Sequence, residues 1–461
     1  MKKNVLKFGL ALTFAVALVA CQKPDIINED SLSKTSHSSA RTDASDMVAN
    51  EVLIKFKNGT SESKKAEILE KIGGKLKENI LTKMMERFGD EGIDLIEVNI
   101  NALEAISKAK NISEIELAEP NYIYTHSDIS NDPSFSTLWG MQSTTSSPSN
   151  LYGSQAAAAW NAGHTGSSTV FIGIIDEGYM YTHVDLAGNA GKNPGEIAGN
   201  NIDDDGNGLK DDVYGWDFAG NDSSVFDGIG DDHGTHVAGT IGAVGGNGIG
   251  VAGVNWNVRL LSGKFLGSQG GTTANAIKAV DYFTNLKTRA SNPVNIIATN
   301  NSWGGGGFSQ LLQDAIQRAD NAGILFICAA GNSTSNNDVV ANYPSNYPNN
   351  NIIAVASITS TGAISSFSSY GATKVDIGAP GSAVYSTVPA GNKRTVTSSY
   401  ASYSGTSMAT PHVAGAAALY SSTHPGATAS QIKAAIMSTA TPTPSLAGKC
   451  VTGGRLNVST F

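Results

Sequence analysis

Five long apolar runs set the architecture of this chain: TVFIGIID at 169–176, VRLLSGKF at 258–265, VNIIATNNSW at 294–303, ILFICAAGN at 324–332 and NIIAVAS at 351–357. None alternates polar with apolar residues, as a strand with one face in water would. Segments with helical spacing, such as residues 274–288 and 310–322, lie between several of them. Continuous apolar strands alternating with helices predict an α/β fold, a parallel sheet with helices on both faces. Ligands of such sheets gather at the carboxyl ends of the strands. Asp176, Ser302 and Asn332 fall at those ends.

With 461 residues, the chain exceeds what one core organises. Residues 1–7 carry three lysines, and residues 8–20 form an apolar run too short to span a membrane, followed by Cys21. This pattern is similar to a bacterial lipoprotein signal, with residues 1–20 removed and a lipid on Cys21 joining the protein to the cell envelope. An ordinary secretory signal with a chance cysteine is the alternative, and both imply export. Residues 21–50, rich in Ser, Asp, Asn and Thr, read as a flexible tether. From residue 51 strand-like and helical stretches alternate up to about 126, a small α+β domain, and the large domain is placed at 132–461. The other cysteines, Cys328 and Cys450, leave a disulfide open, although ILFICAAG reads as a buried strand. A net charge of −9 without basic clusters in the large domain argues against nucleic acid as a partner.

Three blocks carry the chemistry. Asp176 closes a strand before Gly178, which alone is a common turn. DDHGTHVAGTIG sets His233 just ahead of a helix, and SGTSMATPHVAGAAALY starts a helix near Ser407. A serine there has its amide at the positive end of the helix dipole, suited to a carbonyl that becomes an oxyanion. Singly, each has a plain structural explanation. Together, IIDEG, HGTHVAG and GTSMATPHVAG resemble the three signature segments of the subtilisin-like serine peptidases, in that family's known Asp, His, Ser order. The resemblance covers residues 132–461 and implies that Ser407 is the nucleophile, His233 the general base and Asp176 its orienting carboxylate. His236 is read as structural.

The resemblance also implies an oxyanion hole of Asn332 and the Ser407 amide. In this family such a side-chain donor is known to be worth about 10²–10³ in turnover. Ser302, Trp303 and Gly304 would line the peptide-binding strand, and Ala329, Ala330, Gly331 and Asn342 the primary pocket. Glu177 departs from the Thr or Ser often found beside the aspartate. Protein or peptide substrates follow, with no cofactor in the chemistry. Structural calcium is expected at two places: an acidic loop with Asp203, Asp205, Asn207 and Asp212, and a second site with Asp185 and Asn247. The first opens like a calcium loop but has Tyr214 where an EF-hand needs Glu, so a solvated acidic turn is the alternative. The small domain, 51–126, resembles the family's ferredoxin-like inhibitory propeptide, ending in AEPNYIY. A catalytically silent surface-binding version of the fold is the main rival. An α/β-hydrolase esterase is disfavoured by the absence of a G-x-S-x-G elbow.

Overall fold

The structure, a computed structural model, describes residues 47–122, 130–392 and 394–461. Residues 1–20, Cys21 and all but the last few residues of the expected tether lie outside the described residues. The chain divides after Tyr124 into two units.

In the small unit, strands β1 (Met47–Phe56), β2 (Gly74–Ile80), β3 (Ile93–Val98) and β4 (Ile115–Tyr122) alternate with helices α1 (Glu62–Ile72), α2 (Lys83–Arg87) and α3 (Ala102–Ala109). The antiparallel sheet runs β2-β3-β1-β4. Alternate residues Val52, Ile54 and Phe56 of β1 meet Ile68, Ile72, Ala105 and Ile106 of α1 and α3 in one core. Strand β1 starts at Met47, paired with Tyr122, so the sheet reaches four residues beyond the expected boundary at 51. Main-chain pairing and the buried Met47 side chain extend it there. Strand β2 (GKLKENI) gave no sequence signal because it is a polar edge strand joined to β3 by backbone bonds.

The large unit is built on a nine-stranded, mostly parallel sheet. Its elements are α4 (Ala156–Asn161), β5 (Gly166–Asp176), β6 (Gly215–Asp217), α5 (Asp232–Gly242), β7 (Asn257–Lys264), α6 (Thr273–Thr288), β8 (Ile296–Asn301), α7 (Gln310–Asn321), β9 (Leu325–Ala329), β10 (Ile352–Ile358), β11 (Ile377–Pro380), β12 (Val384–Asn392), β13 (Thr395–Tyr403), α8 (Thr406–Thr423), α9 (Ala429–Ser438), β14 (Thr441–Pro442) and β15 (Gly454–Arg455). The strand order is β14-β15-β11-β10-β9-β8-β5-β7-β6, with only β14 antiparallel to its neighbour. The strands β12 and β13 form a separate hairpin, unforeseen from sequence, whose Ser386 and Thr387 hydroxyls donate to the His236 and Thr235 carbonyls of α5 at 2.8 Å each.

The apolar runs are continuous because both faces of the sheet are covered. Along β5, Val170, Ile172 and Ile174 enter a core with α5 and α8, while Phe171 and Ile175 enter one with α6 and α7. Strand β9 splits the same way, Leu325 and Ile327 against Phe326 and Cys328. Cys328 and Cys450 are both buried and free. No helix among the described residues is long and apolar enough to cross a membrane.

Phe283 of α6 is fully buried, and its ring fills the space over Gly173 of β5, where an added Cβ would come within 2.8 Å of it. Phe283→Ala is expected to destabilise the large unit by about 3–5 kcal/mol through the cavity it leaves. A denaturant midpoint equal to that of the parent chain would show that this contact does not support the sheet.

Candidate active site

Asp176 is the last residue of β5 and is fully buried. Its Oδ1 accepts from His233 Nδ1 at 2.9 Å and from the Glu177 amide at 2.8 Å. Its Oδ2 has no partner among the described residues. His233 is the second residue of α5, inside the first turn and not ahead of the helix as expected. The reason is Glu177, whose carboxylate accepts the first-turn amides of His233 and Gly234 at 2.6 and 3.4 Å. Helix α5 approaches β5 this closely because residue 234 is glycine: a Cβ there would sit 2.0 Å from the Gly178 carbonyl oxygen.

Burial of the His233 ring disfavours its charge, but the Asp176 carboxylate, then Glu177 and Asp232, outweigh it and raise the pKa to about 9. Burial, then the charge of Asp176, pushes Glu177 up to about 7. His236 differs in kind. Its Nε2 lies 2.8 Å from the Val384 carbonyl, its ring stacks on Tyr403 at 4.6 Å, and burial lowers it to about 3, leaving it neutral and structural.

Ser407 is the second residue of α8, in the first turn, where amides have no intrahelical acceptor. Pro411 sits four residues on and lacks the N–H that would bond the Ser407 carbonyl. The Ser302 hydroxyl fills that vacancy, donating to Ser407 O at 2.8 Å, and the Ser407 hydroxyl donates to Ser302 O at 3.1 Å. This reciprocal clasp joins the end of β8 to the start of α8. Asn332, just past β9, is oriented by Thr406, whose amide and hydroxyl donate to its Oδ1 at 2.8 and 2.9 Å. Its Nδ2 is thereby turned away from Thr406. A Cβ on Gly405 would lie 3.5 Å from both that Nδ2 and the Ser407 amide nitrogen, so the two nitrogens sit beside the same point.

Beside Ser407 opens a hollow of about 260 Å³ lined by Trp303, Gly304, Ala329, Gly331, Asn332 and Asn342, among others. Asn342 is held by bonds from its Nδ2 to Ala330 O and Ser345 Oγ, at 3.2 and 3.1 Å. One expected wall residue falls elsewhere: Ala330 is fully buried behind the wall, contributing only its carbonyl. The Ser302 side chain is turned into the clasp with Ser407. A second hollow, about 390 Å³, lies between Phe265, Leu266, Thr272 and the Trp303–Gly307 side. Sequence reading missed it because its walls come from loops distant in the chain. Only the Gly run after Trp303, which leaves room for a ligand, hinted at it.

The expected calcium ligands separate into two groups. In the acidic loop, carboxylate oxygens of Glu196, Asp203 and Asp205 lie within 4.8 Å of one another, Glu196 being unforeseen. Asp203 is engaged by the amides of Gly206, Asn207 and Gly208, and Asp205 is paired with Arg289. Asp212 is buried, with Asn193, Asn207 and Tyr282 donating to Oδ2 and no partner on Oδ1 among the described residues. The second group differs in having no basic partner. Asp185 and Asp132 are buried together, and no lysine or arginine among the described residues pairs with either. Asn247 Nδ2 and the Val251 amide donate to Asp185 at 2.9 and 2.8 Å. Burial raises Asp185 to about 6, with the charge of Asp132 adding to the effect.

The subtilase family model matches residues 167–454, and a fervidolysin N-terminal prodomain model matches residues 33–121. The chain is 39% identical over 286 residues to thermitase of Thermoactinomyces vulgaris, covering 62% of this chain and 85% of thermitase. It is 36% identical over 335 residues to an extracellular protease of Xanthomonas campestris pv. campestris, covering 70% of this chain but only 55% of that protein. Over 443 residues it is 30% identical to an extracellular basic protease of Dichelobacter nodosus, covering 89% of this chain and 68% of that one. Among solved structures, a protease of Pseudoalteromonas arctica superposes with a TM-score of 0.56 at 30% identity, over 72% of this chain and 97% of its own.

The clasp between Ser302 and Ser407 yields a stability test. Ser302→Ala strands a carbonyl that Pro411 has already freed, at a cost of about 1–3 kcal/mol. Adding Pro411→Ala restores an N–H four residues along the helix, so the double variant is expected to lose less than Ser302→Ala alone. Additive losses in a double-mutant cycle would refute the compensation.

Proposed function

Because the chain belongs to the subtilase family of serine endopeptidases and carries an N-terminal prodomain, we propose that it hydrolyses protein substrates through an acyl-enzyme on Ser407. The observation that carries this reading is the 2.9 Å contact of His233 Nδ1 with buried Asp176, on a helix, α5, that packs against α8, whose first turn carries Ser407. His233 bonded to Asp176 through Nδ1 offers Nε2 as a base. In the reaction the Ser407 hydroxyl swings from the Ser302 carbonyl toward that nitrogen. Its oxygen attacks the substrate carbonyl while its proton passes to His233. Asp176 stabilises the imidazolium, and the Ser407 amide and Asn332 Nδ2 hold the oxyanion. His233 then gives the proton to the leaving amine, and a water molecule, activated by the same imidazole, releases the acid. Ser302 to Gly304 would pair with substrate backbone, and the hollow with Asn342 near it would take the side chain before the cleaved bond.

Residues 51–126 act in this reading as an inhibitory propeptide ahead of a catalytic domain at 132–461, removed by self-cleavage between Tyr124 and Ser134. Residues 1–20 serve as the export signal, and Cys21 carries a lipid that tethers the protein to the envelope through residues 21–50. The extracellular relatives agree with export. Full-length Ser407→Ala, made without other proteases, is expected to stay uncleaved and to hydrolyse no peptide substrate, as followed by intact mass and a peptidase assay. A shortened Ser407→Ala product would overturn the self-processing.

Calcium is assigned a structural role. Asp185, Asn247 and the unforeseen Asp132 would hold it, and a second ion would draw on Asp212 with Asp203, Asp205, Asn207 and Glu196. The raised pKa of Asp185 gives the sign. Without a cation, its ionisation above pH 6 is penalised in the folded state, so its contribution lowers stability as pH rises through the window between the ordinary carboxylate value and about 6. A bound cation reverses this. In chelator at pH 8, Asp185→Asn is therefore expected to be at least as stable as the parent, and in millimolar calcium less stable by about 1–3 kcal/mol. Thermal midpoints unaffected by calcium in both proteins would remove the site.

A further inference from the structure

Helix α5 begins without a cap of its own, since Asp231 at its N-cap position makes no side-chain bond to the first turn. Its amides need partners from elsewhere. Glu177 provides one, accepting from the main chain of His233 at 2.6 Å and of Gly234 at 3.4 Å. The Glu177 amide donates to Asp176 Oδ1 at 2.8 Å, the same oxygen that accepts from His233 Nδ1 at 2.9 Å. The contacts close a ring: Asp176 carboxylate, His233 imidazole, His233 main chain, Glu177 carboxylate, Glu177 main chain and back to Asp176. The histidine is gripped twice, by its ring and by its backbone, from two adjacent residues at the end of one strand.

Resting on the reading of His233 as general base, we propose that Glu177 is a positioning residue of the reaction, anchoring the His233 main chain through this cap and favouring the imidazolium through its charge. The surroundings leave it free to do so. Facing it are Asp176 of β5 and, on α5, His233 and Asp232, the latter accepting from the Tyr403 hydroxyl of β13. Glu177 also lines a cavity of about 560 Å³, across which stand Asp217 of β6, Asp227, Asp231 and Lys264 of β7. Lys264 is committed to Asp227 and Asp231, at 3.0 and 2.7 Å, so His233 is the cation Glu177 serves. The cavity gives the carboxylate a route for proton exchange. Burial and Asp176 hold Glu177 near 7, while Asp176, Glu177 and Asp232 together hold His233 near 9 against its burial. Between those values the pair is carboxylate and imidazolium.

Glu177→Gln keeps an oxygen for the cap but drops the charge, whereas Glu177→Ala loses both. The full chain carrying each change is allowed to mature, and kcat and KM for a peptide substrate are measured across pH 5–11. Loss of the charge lowers the imidazolium's stability, so the acid limb of kcat/KM should move to lower pH by about 0.5–1 unit in both variants. Loss of the cap should lower the plateau kcat of Glu177→Ala by about 10- to 100-fold with little change in KM, because the base and not the substrate is misplaced. Glu177→Gln should retain most of the difference. An acid limb that stays put in Glu177→Gln overturns the electrostatic half even if Glu177→Ala fails to fold. A Glu177→Ala plateau equal to the parent's, or a loss confined to KM, overturns the positioning half. His233→Ala and Ser407→Ala run alongside: activity surviving in either refutes the underlying assignment of the base and nucleophile, an outcome distinct from any result at Glu177.

Discussion

Parallel pairing of β5, β7, β8, β9 and β10 is the constraint from which the rest of the molecule follows. Parallel strands require long crossovers, and here helices supply most of them, covering both faces. All carboxyl ends of these strands then emerge at one edge. Asp176 follows from β5, Ser302 from β8 and Asn332 from β9, so three residues far apart in the chain become neighbours without any local signal between them. Helix α8 completes the set. It is apolar nearly all round and buried along most of its length, packed behind β5, β8, β9 and β10, which brings its first turn against the same edge.

At that edge the protein places polar groups where dry packing would otherwise be cheapest. Asp176 is buried with His233 as its ion-pair partner among the described residues, and Glu177 adds a second carboxylate. Such an arrangement persists because Asp176 Oδ1 and the Glu177 carboxylate are engaged, by an imidazole, by the following backbone and by helix amides, with Asp176 Oδ2 alone left without a partner among the described residues. The clasp of Ser302 and Ser407 does the same for a carbonyl that a proline leaves free. Rigidity here comes from satisfied hydrogen bonds held between packed elements, which is the condition for a preorganised site.

Away from the edge, acidic groups are handled in two ways. The loop around Asp203 and Asp205 is folded on its own amides and on Arg289, so much of its charge is met internally. Asp132 and Asp185 also accept main-chain amides, those of Gly246, Asn247 and Gly248 and that of Val251, but no lysine or arginine among the described residues pairs with either. Counting carboxylates does not reveal which ones already have a basic partner.

The sequence by itself determined the α/β class and the five central apolar strands with helices between them, and it singled out Asp176, His233, Ser407 and Asn332 as candidate site residues. Those features reside in apolar periodicity and in long local motifs, which short-range chemistry makes legible. Tertiary structure alone decided what depends on main-chain pairing or on distant partners. The edge strand β2 carries few apolar residues and is fixed by backbone bonds, and the β12–β13 hairpin is fixed by pairing along its length and by the Ser386 and Thr387 hydroxyls on α5. The second hollow, the partnership of Asp132 with Asp185, and the turning of Ser302 toward α8 each join loops separated by many residues. Glu177 shows the division most clearly. In the sequence it was only an extra negative charge beside Asp176, and in the fold it caps the helix that carries His233, because β5 and α5 meet there and nowhere along the chain.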